Sequence, residues 1–168
     1  MPSGAAAPDP HYAERVRSSF ARQQVMRLIG ATLADVRPGV VEIHLPFRAD
    51  LTQQHGFLHA GIVTTICDSA CGYAALSLMA AGAGVLTVEY KINLLALAQG
   101  ALFVARGEVI KPGRALLFCQ GEVRAHPAAA PGDMPGEAPA DTQGEASRVV
   151  ATMMATMMRI EGRAGISD

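Results

Sequence analysis

Residues 55–79 read HGFLHAGIVTTICDSACGYAALSLM, an apolar or small-residue run with a single acidic side chain, Asp68, near its middle. Ile62, Val63, Ile66, Cys67, Ala70, Cys71, Ala74, Ala75, Leu78 and Met79 fall on almost every face of a helix, which predicts a core helix wrapped by the rest of the chain. Burying an unpaired ionised carboxylate there costs several kcal/mol or shifts its pKa. No Lys or Arg occurs between Arg48 and Lys91 to neutralise it. A carboxylate kept under those conditions is a functional candidate. A bilayer needs about 20 apolar residues, so a membrane span has to be weighed. Against it stand Asp68, which costs roughly 2.5–3.5 kcal/mol at a bilayer centre, and the lack of basic clusters or Trp/Tyr belts at either end.

The chain has 168 residues, 50% hydrophobic and 17% charged, enough apolar mass for the core of one ordinary domain. A net charge of −1 gives no electrostatic case for nucleic acid or an acidic membrane surface. Cys67, Cys71 and Cys119 are odd in number, and two lie four apart on the central run. That pattern suits small apolar fillers better than a disulfide framework. Zinc spacing is lacking, so no metal is expected. The first 16 residues hold no apolar segment of signal-peptide length, which leads to the expectation of a reducing, cytoplasmic setting.

In chain order, residues 1–10 are expected to form a disordered tail, and residues 11–160 one domain. A short amphipathic helix is predicted over 11–27, carried by Val16 and Phe20. Two strands, 28–36 and 40–47, flank a Pro38-Gly39 turn. After the loop 48–56 the central helix should run to the glycines near 80–84. Strands follow over 85–95, 101–111, 114–125 and 147–160. Residues 127–146, rich in Pro, Ala, Gly and acids, cannot bury enough apolar surface to order themselves and are expected to be a mobile loop. The Met pairs of 153–158 read as fillers of an uneven core. Residues 161–168 should fray. The sum is an α+β domain: a curved, mostly antiparallel sheet of five to six strands around one long helix.

The succession of a short helix, a hairpin, HGFLHAGIVTTICDSACGYAA (55–75), GVLTVEYKINLL (84–95), KPGRALLFCQGEV (111–123) and RVVATMMATMM (148–158) resembles the hotdog-fold acyl-CoA thioesterases, in the phenylacetate-pathway (PaaI-like) branch of the 4-hydroxybenzoyl-CoA thioesterase superfamily. The likeness covers about residues 15–160. It implies thioester hydrolysis with Asp68 as general base or nucleophile and no metal or redox cofactor. The implied oxyanion donor is the backbone N–H of Ala60 at the helix N-terminus, with Gly61 beside it. Ala60 stands where a glycine is usual. Gln53 matches a residue that orients the carbonyl or the water, and Thr87 one that holds the attacking water. His55 and Gly56, in the turn before the helix, are candidate substrate-binding residues, with loop packing the other reading for His55 and a helix start that for His59. As a catalytic pair, His55 and His59 lack a nucleophilic Ser or Cys at a strand-to-helix elbow. Lys111 and Arg114 are either cations for the coenzyme A phosphates or solvated turn charges.

Ala60 and Asp68 are eight residues apart, roughly 12 Å along a helix axis, too far for one carbonyl to touch both. Two antiparallel helices solve this, so a homodimer is expected, with a dimer of dimers within the family's range. The rivals are a non-catalytic acyl-CoA binding module and a hotdog dehydratase or hydratase.

Overall fold

The computed structural model describes residues 7–128 and 147–166. The expectations for residues 1–6, for the loop over 129–146 and for residues 167–168 lie outside the described residues. Within the expected N-terminal tail, Asp9 is buried. It accepts the N–H of His11 at 2.9 Å and pairs with Arg15 at 3.0 Å, so the chain is tied down two residues before the expected start.

The predicted single N-terminal helix is two, α1 (Tyr12–Arg22) and α2 (Gln24–Ile29). They are separated by Gln23 in extended conformation, φ −75° and ψ 98°. Gly30 closes α2 at φ 79°, a left-handed turn open to glycine at no steric cost. Met26 and Ile29, three apart on one helical face, are buried. Leu28 and Ile29 are therefore helical, and the first strand, β1 (Thr32–Arg37), starts later than predicted.

The remaining elements are β2 (Val40–Pro46), a short 3-10 turn over Ala49–Leu51, α3 (Ala60–Leu76), β3 (Gly84–Leu94), β4 (Leu102–Pro112), β5 (Leu116–His126) and β6 (Arg148–Ile160). The six strands form one sheet in the order β1-β2-β4-β5-β6-β3, with every neighbouring pair antiparallel. Strand residues alternate as a half-buried sheet requires. Ile43, Phe103, Ala105, Cys119, Val123 and Met153 turn inward and are buried. Glu42, Arg106, Glu108 and Glu122 alternate with them and stay at least partly accessible. The curved sheet around one helix is the architecture expected from the sequence. Cys67, Cys71 and Cys119 are free and buried.

The helix sits on the sheet at two glycines that face each other across strands, Gly107 of β4 and Gly121 of β5. A Cβ at Gly107 would overlap the backbone of Ala70 and Cys71, and one at Gly121 would lie 2.5 Å from the Cys67 sulfur. The far end of α3 is fixed from a distance. The Arg15 guanidinium donates to the carbonyls of Leu76 (3.2 Å), Met79 (2.7 Å) and Ala80 (3.0 Å). Ser77, fully buried, accepts the Gly39 N–H and donates to Ala74, both at 2.7 Å. Diverting these carbonyls ends the helix at Leu76, short of the glycines that were expected to stop it.

α3 is also not wrapped on every side. Ala60, Gly61, Thr64, Thr65, Asp68 and Gly72 keep one stripe at least partly open to solvent. None of the helices among the described residues is long and apolar enough to cross a membrane.

Gly107→Ala should destabilise the fold, because backbone rather than a flexible side chain stands in the way. The expected loss is about 2 kcal/mol or more, a fall of roughly 4–8 °C in Tm for a chain of this size. An unchanged melting curve would show that the helix does not rest on this saddle.

Candidate active site

The N-terminus of α3 is built by the loop before it. Gly56, at φ 83°, makes the turn, and the N–H of Gln53 meets the carbonyl of Phe57 at 2.9 Å. The side-chain oxygen of Gln53 accepts the His55 N–H, so Gln53 folds onto its own loop with its amide nitrogen uncommitted among the described residues. His59 is the N-cap, its Nδ1 accepting the Gly61 N–H at 2.9 Å. That bond occupies the N–H of Gly61, a candidate from the sequence, and so leaves the oxyanion role to Ala60 as expected from the resemblance alone. The Ala60 N–H, exposed and in the first helical turn, has no acceptor among the described residues.

Two turns along the helix, Asp68 is half-buried on the open stripe. The Thr87 hydroxyl of β3 donates to its Oδ1 at 2.9 Å. Thr87 was expected to hold a water against Asp68; it contacts the carboxylate directly. With its proton committed, the Thr87 oxygen still offers lone pairs to a water. Burial pushes the Asp68 pKa above its ordinary value of 3.8, and the Thr87 hydrogen bond pulls it partly back.

The two ends open onto different cavities. Asp68 and Thr87 line a cleft of about 300 Å³ walled by α1, with Ser19, Gln23, Gly72 and Tyr73 around it. Ala60 and Gln53 line an apolar cavity of about 480 Å³ with Phe57, Val63 and the Leu94–Ala98 segment. The two linings share no residue. Gly56 borders a third cavity, of about 820 Å³, beside Gln99 and Arg148. His55 is exposed, its ring beside Gln54. Lys111 and Arg114 stand at the β4–β5 turn, the end of the sheet where α3 finishes, and line none of these cavities. The contribution of α1 was invisible in the sequence, since Gln23 meets Ser69 across 46 positions.

Residues 55–128 match the family model described as the thioesterase superfamily. A thioesterase family protein of Silicibacter pomeroyi is 49% identical in its solved structure, with a TM-score of 0.79 over 90% of this chain and 99% of that one. The chain belongs to the thioesterase superfamily. Two more distant structures share its fold. One is the PaaI protein from the phenylacetic acid degradation operon of E. coli, 16% identical with a TM-score of 0.72 over 90% of this chain and 94% of that one. The other is a thioesterase of Haemophilus influenzae, 16% identical with a TM-score of 0.70 over 88% and 90%. This thioesterase-superfamily chain thus has the hotdog architecture expected from its sequence.

A raised folded-state pKa means that ionising Asp68 works against folding. Its contribution to stability is intact below the unfolded value near 3.8 and is lost as pH rises through the folded value. Asp68→Asn should therefore melt higher than the parent at neutral pH, and the gap should close as pH falls below about 4. A variant that melts lower at neutral pH would show that the ionised carboxylate holds the fold together.

Proposed function

We propose that the protein is an acyl-CoA thioesterase of the PaaI-like branch, hydrolysing an acyl or aryl-acyl CoA thioester to the free acid and coenzyme A. The observation that carries this reading is the half-buried carboxylate of Asp68, held by Thr87 in the lining of a cleft. Asp68 acts as the general base. A water donates one proton toward the free Asp68 oxygen and the other to the Thr87 lone pair, and its oxygen attacks the thioester carbon. The carbonyl oxygen gains the negative charge and takes the Ala60 N–H as donor. Collapse breaks the C–S bond, and the thiolate takes the proton from Asp68. Base catalysis of this kind supplies about 10² to 10⁴-fold, and an oxyanion donor about 10² to 10³-fold.

The site is shared across a two-fold dimer. The donor needs to be about 3 Å from the oxyanion, yet Ala60 and Asp68 of one chain are separated by two helical turns and open onto different cavities. Pairing α3 with an antiparallel copy along its open stripe brings one copy's Ala60 to the other's Asp68. Thr64 and Thr65 favour such a contact, since their hydroxyls bond back to Ala60 and Gly61. Strand β3 is the sheet edge and exposes Leu86, Val88, Tyr90 and Leu94, the kind of unpaired apolar edge that chains cover. The same pairing carries Lys111 and Arg114 of one copy to the side where the other presents Ala60, which suits them to the coenzyme A phosphates. A cytoplasmic setting fits three free, buried cysteines.

Subunit mixing tests this. Ala60→Pro removes the donor alone, since proline suits the first helical position and His59 already has the extended backbone, φ −62° and ψ 136°, that precedes proline. Asp68→Asn removes the base alone. Each variant should release free thiol from acyl-CoAs at less than about a tenth of the parental rate, and co-expression should restore activity through one intact site per mixed dimer. No recovery in demonstrated mixed dimers would mean that each site lies within one chain. Saturable acyl-CoA binding by the parent without thiol release would make the protein a binding module.

A further inference from the structure

Given the thioesterase reading of Asp68, we infer that the cleft between α1 and α3 is the subsite for the far end of the acyl group, with Gln23 and Gly72 selecting what enters: compact acyl groups that end in a hydrogen-bonding group.

Asp68 lines the cleft, so whatever extends from a carbonyl held there has this space next to it. Its volume, about 300 Å³, is at the low end for ligand pockets, which run from roughly 300 to 1,000 Å³. A ring or short chain fits and a long fatty tail does not. Polar groups line its inner side. Ser19 and Ser69 are both buried, and Gln23 donates to the Ser69 hydroxyl at 3.3 Å. The side-chain oxygen of Gln23 is shielded from solvent and has no hydrogen-bond partner. Turning the amide over would leave its nitrogen unpaired instead, so one amide atom lacks a partner either way. A saturated acyl end packed here would leave the Gln23 amide without a partner, whereas a hydroxyl would pair with it after a small rotation of the Gln23 side chain. Gln23 is presented at this point because the backbone leaves helical geometry between α1 and α2 at that residue.

Gly72 sets the room available. It lines the cleft on α3, yet a Cβ built on it meets nothing within 4 Å, and its backbone is ordinary helix. Unlike Gly107, it is not needed by the fold. Within one chain, a side chain there would enter the cleft without meeting another residue.

The test measures kcat/KM for matched acyl-CoAs from butanoyl to octanoyl, each ending in a methyl or a hydroxymethyl group, in the parent, Gln23→Leu, Gly72→Val and the milder Gly72→Ala. Binding of free coenzyme A is measured alongside. The parent should favour the hydroxyl-ended member by about tenfold or more, and Gln23→Leu should erase or invert that ratio. Gly72→Val should lower the ratio of long to short substrates by about tenfold, with Gly72→Ala between it and the parent. Equal losses for every substrate together with weaker binding of free coenzyme A would assign the cleft to the pantetheine arm and overturn the inference. So would ratios that no variant moves. Turnover of the panel without any hydroxyl preference would sink this subsite while leaving the thioesterase reading intact, whereas no thiol release from any member by the parent would sink both.

Discussion

Direct contact of the α3 backbone with Gly107, and of the Cys67 and Cys71 sulfurs with the facing Gly121, fixes the geometry on which everything else depends. With Gly107 bare, the helix backbone at Ala70 and Cys71 lies directly against β4, and the bare Gly121 of β5 makes room for the Cys67 and Cys71 sulfurs. Such a contact sets the rotation of the helix as well as its height. Asp68 is two positions before Ala70, roughly 160° around the axis, so the face that touches the sheet at Ala70 turns the carboxylate away from it. Strand β3, at the sheet edge, then brings Thr87 within hydrogen-bonding distance. The position of the candidate base is thus a consequence of two missing methyl groups on strands that do not carry Asp68 or Thr87.

The same helix is held lengthwise by partners distant in sequence. His59 caps its start, and Arg15, whose own charge is met by Asp9, gathers the carbonyls beyond its end. Because Arg15 lies on α1, the anchoring of α3 and the wall of the Asp68 cleft belong to one element. Moving α1 would disturb both, which links the stability of the helix end to the shape of the space beside the carboxylate.

The fold was largely legible in the sequence, since six strands with period-two alternation around one apolar helix leave few arrangements. The errors have local physical causes. Arg15 ended α3 early, and nothing near Ala80 signals a cation 65 positions away. Gly30, read as part of a strand, is a left-handed helix stop. At the site, Asp68 stood out because it is a lone charge in an apolar run, and Thr87 through family resemblance; the structure brings the two together. Ser19, Gln23 and Gly72 did not stand out, because their roles come from packing of α1 on α3, which no spacing encodes. The N–H of Gly61 is taken by the His59 ring, a local cap that residue spacing alone does not reveal.

Pairing two copies along the open stripe would have an electrostatic consequence. Burial already raises the Asp68 pKa in the single chain, and a second helix laid over the stripe would remove more water and raise it further. A base must be ionised to act, so that drift has to be limited. The hydrogen bond from Thr87 is the influence that lowers the Asp68 pKa, because it stabilises the charged form, and it arrives on the edge strand that the proposed dimer would also cover. The threonine therefore does two things at once in the proposed mechanism: it orients the water and favours the ionised form of the carboxylate against the effect of burial.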